Sequence, residues 1–182
     1  MIGSRVALAA ASVITLLLLQ AALIGPLTFP VPTSLPLLVV VAVGIQAGPG
    51  GAMPMGFAMG LLADLGSEHP AGVLALAWMA AGLVSGLVGG LAVQRSYGTR
   101  PVAFMTAAIA TLTVSATTLM LALVGTHGDS AWLAGRDLGP TALVHAVLAL
   151  GVVPTVRAFL RWQGIRSPRS GFELIGRAGA SA

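Results

Sequence analysis

The sequence contains no cysteine and no lysine, and it has few charged residues of any kind. The absence of cysteine excludes disulfide bonds, thiolate metal sites and a cysteine nucleophile. Only 8% of the residues are charged, against about 25% in a typical soluble domain. With 57% hydrophobic residues, a chain of 182 residues cannot keep its apolar side chains away from water. We therefore expect most of the chain to lie in lipid.

The basic residues are distributed as in a membrane protein. All nine are arginine, and the formal net charge is +4. They lie between apolar runs and in the C-terminal tail, a pattern that orients membrane helices and gives no reason to expect nucleic acid as a partner. Near the last span, arginines beside Trp162 can bind anionic lipid or a cytoplasmic partner.

Apolar segments predict an all-α polytopic membrane protein with six spans, the second and third of them short. Long uncharged runs cover residues 6–24, 71–93, 102–124 and 138–156. The first run is either a signal peptide or a retained span; its length and the lack of a clear cleavage site favour the span. The remaining segment, 35–63, has helix-weakening residues in its middle, at Gly48, Pro49, Gly50, Gly51 and Pro54. We interpret this segment as two short spans joined by a tight turn.

Arginine positions favour both termini in the cytoplasm. With six spans, Arg136 is the one arginine outside, where most of the acidic residues also lie. Five spans with an outer N-terminus would misplace only Arg5, so charge alone leaves both arrangements open. The Gly/Pro break favours six. We expect residues 1–162 to form the membrane domain and residues 163–182 to form a disordered, Arg/Gly/Ser-rich cytoplasmic tail.

Two predicted helices carry small residues at helical spacing. On the third helix the spaced positions are Gly56, Gly60 and Asp64. On the fourth helix they are Gly82, Gly86 and Gly90, with Gly89 beside them. Glycines at this spacing let helices approach closely in lipid. The two faces either pack on each other within the fold or dock another protein.

Asp64 lies at the outer end of the third helix, in front of a polar turn that contains Glu68 and His69. An acid in a membrane segment is a functional candidate. Here its neighbours favour a structural role, such as binding the amides of the turn, over contact with a partner.

The same region resembles the MreD family of rod shape-determining membrane proteins. A short proline-led span and a Gly/Pro break precede the pattern G-F-x-x-G-L-x-x-D, which is followed by a polar turn, P-x-G and a long apolar helix. The matching positions are Gly56, Phe57, Gly60, Leu61, Asp64, Pro70 and Gly72. Glu68 and His69 depart from the small or uncharged residues expected in the turn.

This resemblance implies a non-enzymatic scaffold of the cell-elongation machinery in the bacterial inner membrane. Members of the family work with MreC and connect the filament MreB to RodA and a penicillin-binding transpeptidase, which build lateral peptidoglycan. Their fold is similar to that of the S-components of vitamin transporters. The resemblance implies no cofactor. From the glycine spacing and the matching positions together, we predict a role in helix packing or partner contact for Gly56, Phe57, Gly60, Leu61, Asp64, Gly72, Gly82, Gly86 and Gly90.

Other chemistry has weaker support. No histidine belongs to a metal-binding motif, and no serine has a nearby base and acid, so we predict no metal, cofactor-binding or catalytic residues. The sequence leaves three roles open for His145: a hydrogen bond to a neighbouring helix, a place on a proton path, or a pairing with Asp64. Thr106, Thr113 and Thr117 share a face and either bond within helices or line a cavity. The alternative function is a small-molecule-binding, S-component-like transporter subunit, because interrupted helices can mark a substrate site.

Overall fold

The structure is a computed structural model that describes residues 32–66, 72–94, 98–123 and 136–163. Those residues form five α-helices: α1 (Leu35–Ala47), α2 (Pro49–Asp64), α3 (Val73–Gln94), α4 (Thr99–Leu123) and α5 (Leu138–Trp162). The predicted first span, 6–24, and the tail beyond Gln163 lie outside the described residues. The all-helical class is confirmed. The sixth span and the likeness to S-components remain predictions.

Three of the described helices are long and apolar enough to cross a membrane. The spanning segments are Val73–Leu91, Thr99–Leu121 and Leu138–Trp162. Helices α1 and α2 are shorter, with 13 and 16 residues, or about 20 and 24 Å of helix. The prediction of two short helices within residues 35–63 is therefore confirmed, with the second helix ending one residue later, at Asp64. Helix α5 also extends beyond the predicted end at residue 156, and Pro154 lies inside it.

Helix α1 is the centre of the described fold. It contacts each of the other four helices, and most of its side chains are fully buried, among them Leu37, Leu38 and Val41. A helix that is apolar on all sides is suited to such a position. Its start is fixed by Ser34, whose hydroxyl accepts a hydrogen bond from the Leu37 amide at 3.4 Å.

The break between α1 and α2 is a single residue, Gly48. Its φ of 89° is unfavourable for residues with a side chain, and its amide donates to the Gly44 carbonyl at 2.9 Å. The predicted break was longer, from residue 48 to 54. Pro49 instead begins α2, where a missing amide costs nothing, and Pro54 is accommodated on the exposed side of that helix.

Contacts between the helices define their directions. A Cβ on Gly86 would overlap Pro49 and one on Gly60 would overlap Leu74, so α2 runs antiparallel to α3. Arg157 bonds Thr99 while His145 bonds Thr111, so α4 and α5 are also antiparallel. The bundle thus has an Asp64 end, with Ser34, Asp64 and Asp137, and an Arg157 end, with Gln46, Thr99 and Arg157.

Candidate helix-packing and partner-contact site

Gly56 and Gly60 lie where the backbones of α2 and α3 meet. Both are buried, and a Cβ on Gly60 would stand 2.5 Å from the Leu74 carbonyl oxygen and 2.6 Å from the Ala75 Cα. On Gly56 it would overlap the Trp78 carbonyl. The neighbouring atoms are backbone, so they cannot move aside as a side chain would. These two glycines allow the close approach that drives helix association in lipid.

Helix α3 presents glycines of its own to the same hairpin of α1 and α2. A Cβ on Gly82 would lie 2.7 Å from the Ala52 carbonyl oxygen, and one on Gly86 would lie 2.6 Å from the Pro49 Cα. One turn further along, a Cβ on Gly89 would lie 2.5 Å from the Ile45 Cα in α1. The glycine face of α3 therefore binds both helices across the Gly48 break.

Gly90 differs from the other glycines predicted on this face. A Cβ there would meet no atom within 4 Å, and the close approach is made by Gly89 instead. Each residue turns a helix by about 100°, so position 89 lies about 20° from position 82 and position 90 about 80° away. Measured from Gly86, however, position 90 is about 40° away and position 89 about 60°, so helix pitch alone does not separate the two glycines. The crossing of α3 with α1 at Ile45 does.

Asp64 binds the start of α3 from the end of α2. Its carboxylate is 3% exposed and accepts hydrogen bonds from three amides, Gly72 at 2.8 Å and Leu74 and Ala75 at 3.1 Å each. The first amides of a helix have no partner within the helix, and a negative charge there is favourable. Asp64 thus serves as a non-local cap for α3.

Gly72 is part of this arrangement through its backbone. Its φ of 100° is one that residues with a side chain rarely adopt, although the space around it is open. This conformation lets its amide donate to Asp64 just before α3 begins. Gly72 therefore contributes to the turn and to the cap, and not to helix contact.

Phe57 and Leu61 lie beside the glycines on α2, turned about 80° and 120° away from the midpoint between Gly56 and Gly60. They are 43% and 39% exposed, and Leu62 and Leu65 extend the same outward surface. We call these four side chains the α2 outer face. The predicted site is thus divided: its glycines and Asp64 fix α2 on α3, while Phe57 and Leu61 remain available to lipid or another protein.

His145 forms hydrogen bonds with two neighbouring segments of the described chain, and neither of them contains Asp64. Its side chain is fully buried; Nε2 accepts from the Ser34 amide at 3.3 Å, and Nδ1 lies 3.0 Å from the Thr111 hydroxyl oxygen. With Nε2 as acceptor, the neutral ring carries its proton on Nδ1 and donates to Thr111. His145 therefore connects α5 to α4 and to the start of α1.

A partly open cleft of about 310 Å³ lies at the Asp64 end between α1, α3 and α4. Its apolar lining includes Pro36, Trp78 and Leu121. Thr117 and Thr118 also line it, but their hydroxyls donate to carbonyls of their own helix. Thr106 and Thr113 bond backbone carbonyls in the same way. None of the described lining residues is charged, so the cleft offers little to orient a polar ligand.

Across the described ranges, no three or more His, Asp or Glu residues come together in a way that could hold a metal ion. The carboxylate of Asp64 is engaged with the amides of α3. The contacts that the site residues do make, backbone against backbone and a carboxylate on helix amides, are those of helix association.

Comparison with known proteins identifies the family of this chain. The curated proteins and the solved structures contain no significant match to the chain. The family model of the rod shape-determining protein MreD matches residues 2–163, which cover all five described helices. This match extends over nearly the whole chain, which therefore belongs to the MreD family of membrane proteins that determine rod shape.

Proposed function

We propose that the chain is a non-enzymatic membrane scaffold of the rod-shape machinery and that it binds MreC through the α2 outer face. The observation that carries this proposal is the division of α2. Glycine contacts and the Asp64 cap hold one side firmly on α3, while Phe57, Leu61, Leu62 and Leu65 project outward. A fixed helix with an exposed apolar side is a suitable surface for another transmembrane helix.

Family membership supports the choice of partner and the setting. A rod-shape role connects the chain to MreC and, through the elongation complex, to MreB, RodA and a penicillin-binding transpeptidase that builds peptidoglycan. The distribution of arginines supports a position in the bacterial inner membrane with both termini in the cytoplasm. In this proposal the scaffold acts by recognition, and its buried acid Asp64 has a structural use as a helix cap.

The proposal is tested by co-purifying the chain with MreC from host membranes in mild detergent. The double variant Phe57→Ala/Leu61→Ala should reduce recovery of MreC at least about tenfold, a combined loss of about 1.4 kcal/mol, because the proposal places both side chains at the centre of the interface. The matched control is Leu83→Ala/Leu87→Ala, which removes two exposed side chains from α3. Equal losses in both variants, or no loss in either, would exclude the α2 outer face as the binding surface.

Gly60→Leu tests whether α2 must pack closely on α3 for the α2 outer face to bind MreC. A leucine there would overlap the Leu74 and Ala75 backbone and push α2 away from α3. We expect loss of MreC binding and of rod shape in cells that depend on this chain. A variant that inserts, folds and supports rod shape normally would show that the glycine contact is dispensable for function.

A second candidate function, binding of a small molecule, is favoured by one observation, the cleft of about 310 Å³. This volume is at the lower end for ligand pockets. Mass spectrometry of the purified complex distinguishes the two candidates. MreC and elongation synthases among the recovered proteins support the scaffold, whereas an ATPase-driven transport module would support the S-component-like binder.

A further inference from the structure

Arg157 is held in a fixed position where α1, α4 and α5 meet. Its Nε donates to the Gln46 side-chain oxygen at 3.3 Å, and one terminal nitrogen donates to the Thr99 hydroxyl at 2.9 Å. The amide nitrogen of Gln46 in turn donates to the carbonyls of Ala42 at 3.1 Å and Val153 at 3.4 Å. Gln46 is thereby fixed in the orientation that presents its oxygen to the guanidinium.

The charge of Arg157 has no acidic partner in the described part of the chain. Both groups that it bonds are neutral, and the two acids in the described ranges, Asp64 and Asp137, lie at the opposite end. The exposed Arg161 follows one turn later on α5, and the exposed Arg100 adjoins Thr99. Like charges four residues apart on a helix repel each other, and the end of the helix dipole offsets this only in part. An external anion would relieve the repulsion.

Aromatic side chains indicate where this cluster lies in the membrane. Trp162 is 73% exposed, and its ring is 6.2 Å from that of Phe159 on the same helix end. Exposed tryptophan is typical of the interface between hydrocarbon and water. The guanidinium groups of Arg157 and Arg161 are therefore at the depth of lipid headgroups.

We propose that Arg157, Arg161 and Arg100 form a site for the phosphate of an anionic phospholipid, a ligand that goes beyond the proposed scaffold role. Guanidinium groups bind phosphate through two parallel hydrogen bonds, and Arg157 has three N–H donors without a partner in the described residues. Basic pockets between transmembrane helices bind lipids with phosphate-rich headgroups. Three arginines suit a headgroup with more than one negative charge, such as the two phosphates of cardiolipin.

The test is a lipid titration of the purified full-length chain in neutral detergent, with bound lipid counted by native mass spectrometry. Cardiolipin should bind more tightly than phosphatidylcholine. Arg157→Gln should weaken cardiolipin binding at least about fivefold, as expected for one basic residue near a charged membrane surface. The matched control is Arg136→Gln, which removes the same charge at the Asp64 end and should change binding less than about twofold.

Two further variants distinguish a specific lipid site, in which Arg157 is held in position, from a general attraction between charges. They also test the proposal if Arg157→Gln does not fold. Gln46→Leu leaves every charge in place but releases the guanidinium, and it should weaken cardiolipin binding. The exposed Arg161→Gln should do the same without affecting the fold. Equal weakening by Arg136→Gln, equal affinity for phosphatidylcholine, or full displacement of cardiolipin by inorganic phosphate would each overturn the proposal.

Discussion

At the residue scale, Asp64 contributes to the fold by accepting hydrogen bonds from amides of another helix. An ordinary N-cap residue directly precedes its helix, but Asp64 lies eight positions before Gly72 and reaches the amides after α2 has ended. Its charge is placed at the positive end of the α3 dipole. This one side chain therefore connects α2 to α3 at the same end where the glycines already bring their backbones together.

Asp64→Ala should lower the free energy of unfolding by about 1–3 kcal/mol, because the buried Ala75 amide and the partly buried Leu74 amide lose their acceptor. The measurement is reversible unfolding of the purified chain in mixed micelles. Asp137→Ala is the control: Asp137 stands at the N-cap of α5 but makes no side-chain capping bond, so its loss should cost less than about 0.5 kcal/mol. Similar costs for both variants would contradict the capping role.

At the element scale, the pairing of α2 with α3 depends on which glycine positions face the partner backbone. Gly56 and Gly60 on one helix and Gly82 and Gly86 on the other bring carbonyl and Cα atoms into direct contact. Packing of this kind is the main force between helices in lipid, because lipid tails are as apolar as leucine. Small side chains at these positions therefore matter more than hydrophobic ones.

Gly82→Ala and Gly90→Ala make a matched pair on α3. A Cβ on Gly82 overlaps the Ala52 carbonyl, so this variant should destabilise the fold by about 1–3 kcal/mol. A Cβ on Gly90 meets open space, so this variant should stay within about 1 kcal/mol of the parent. Thermal unfolding in the same detergent compares them. If Gly90→Ala were the more damaging change, the contact geometry of α3 would be contradicted.

At the scale of the whole molecule, the helix directions place Gly98 and Gly139 at opposite ends of the bundle. Both positions are exposed and have room for a side chain, and the chain has no cysteine of its own. Single-cysteine variants Gly98→Cys and Gly139→Cys can therefore be labelled without background. With a cytoplasmic N-terminus, an impermeant maleimide should label Gly139→Cys in intact spheroplasts and Gly98→Cys only after lysis. The reverse pattern would contradict the orientation inferred from the arginines.

Much of the bundle could be predicted from the sequence because a lipid solvent restricts the choices. Uncharged runs must become helices, since no other open structure satisfies its backbone groups in hydrocarbon. Glycine and proline around position 48 marked the break, and the period of four identified Gly56, Gly60 and Asp64 as one face. Each of these inferences depends only on residue type and on spacing within one helix, and both can be obtained from the sequence alone.

Only the tertiary structure decided which of these features meet. The crossing of α3 with α1 selected Gly89 over Gly90, and the fold brought Ser34 and Thr111 to His145 and Gln46 and Thr99 to Arg157. These partners are separated by 34 to 111 positions along the chain. Composition and spacing determine that a segment is a membrane helix and which side of that helix carries small residues. The rotation and depth of each helix depend on packing against all its neighbours at once, and no single segment encodes that.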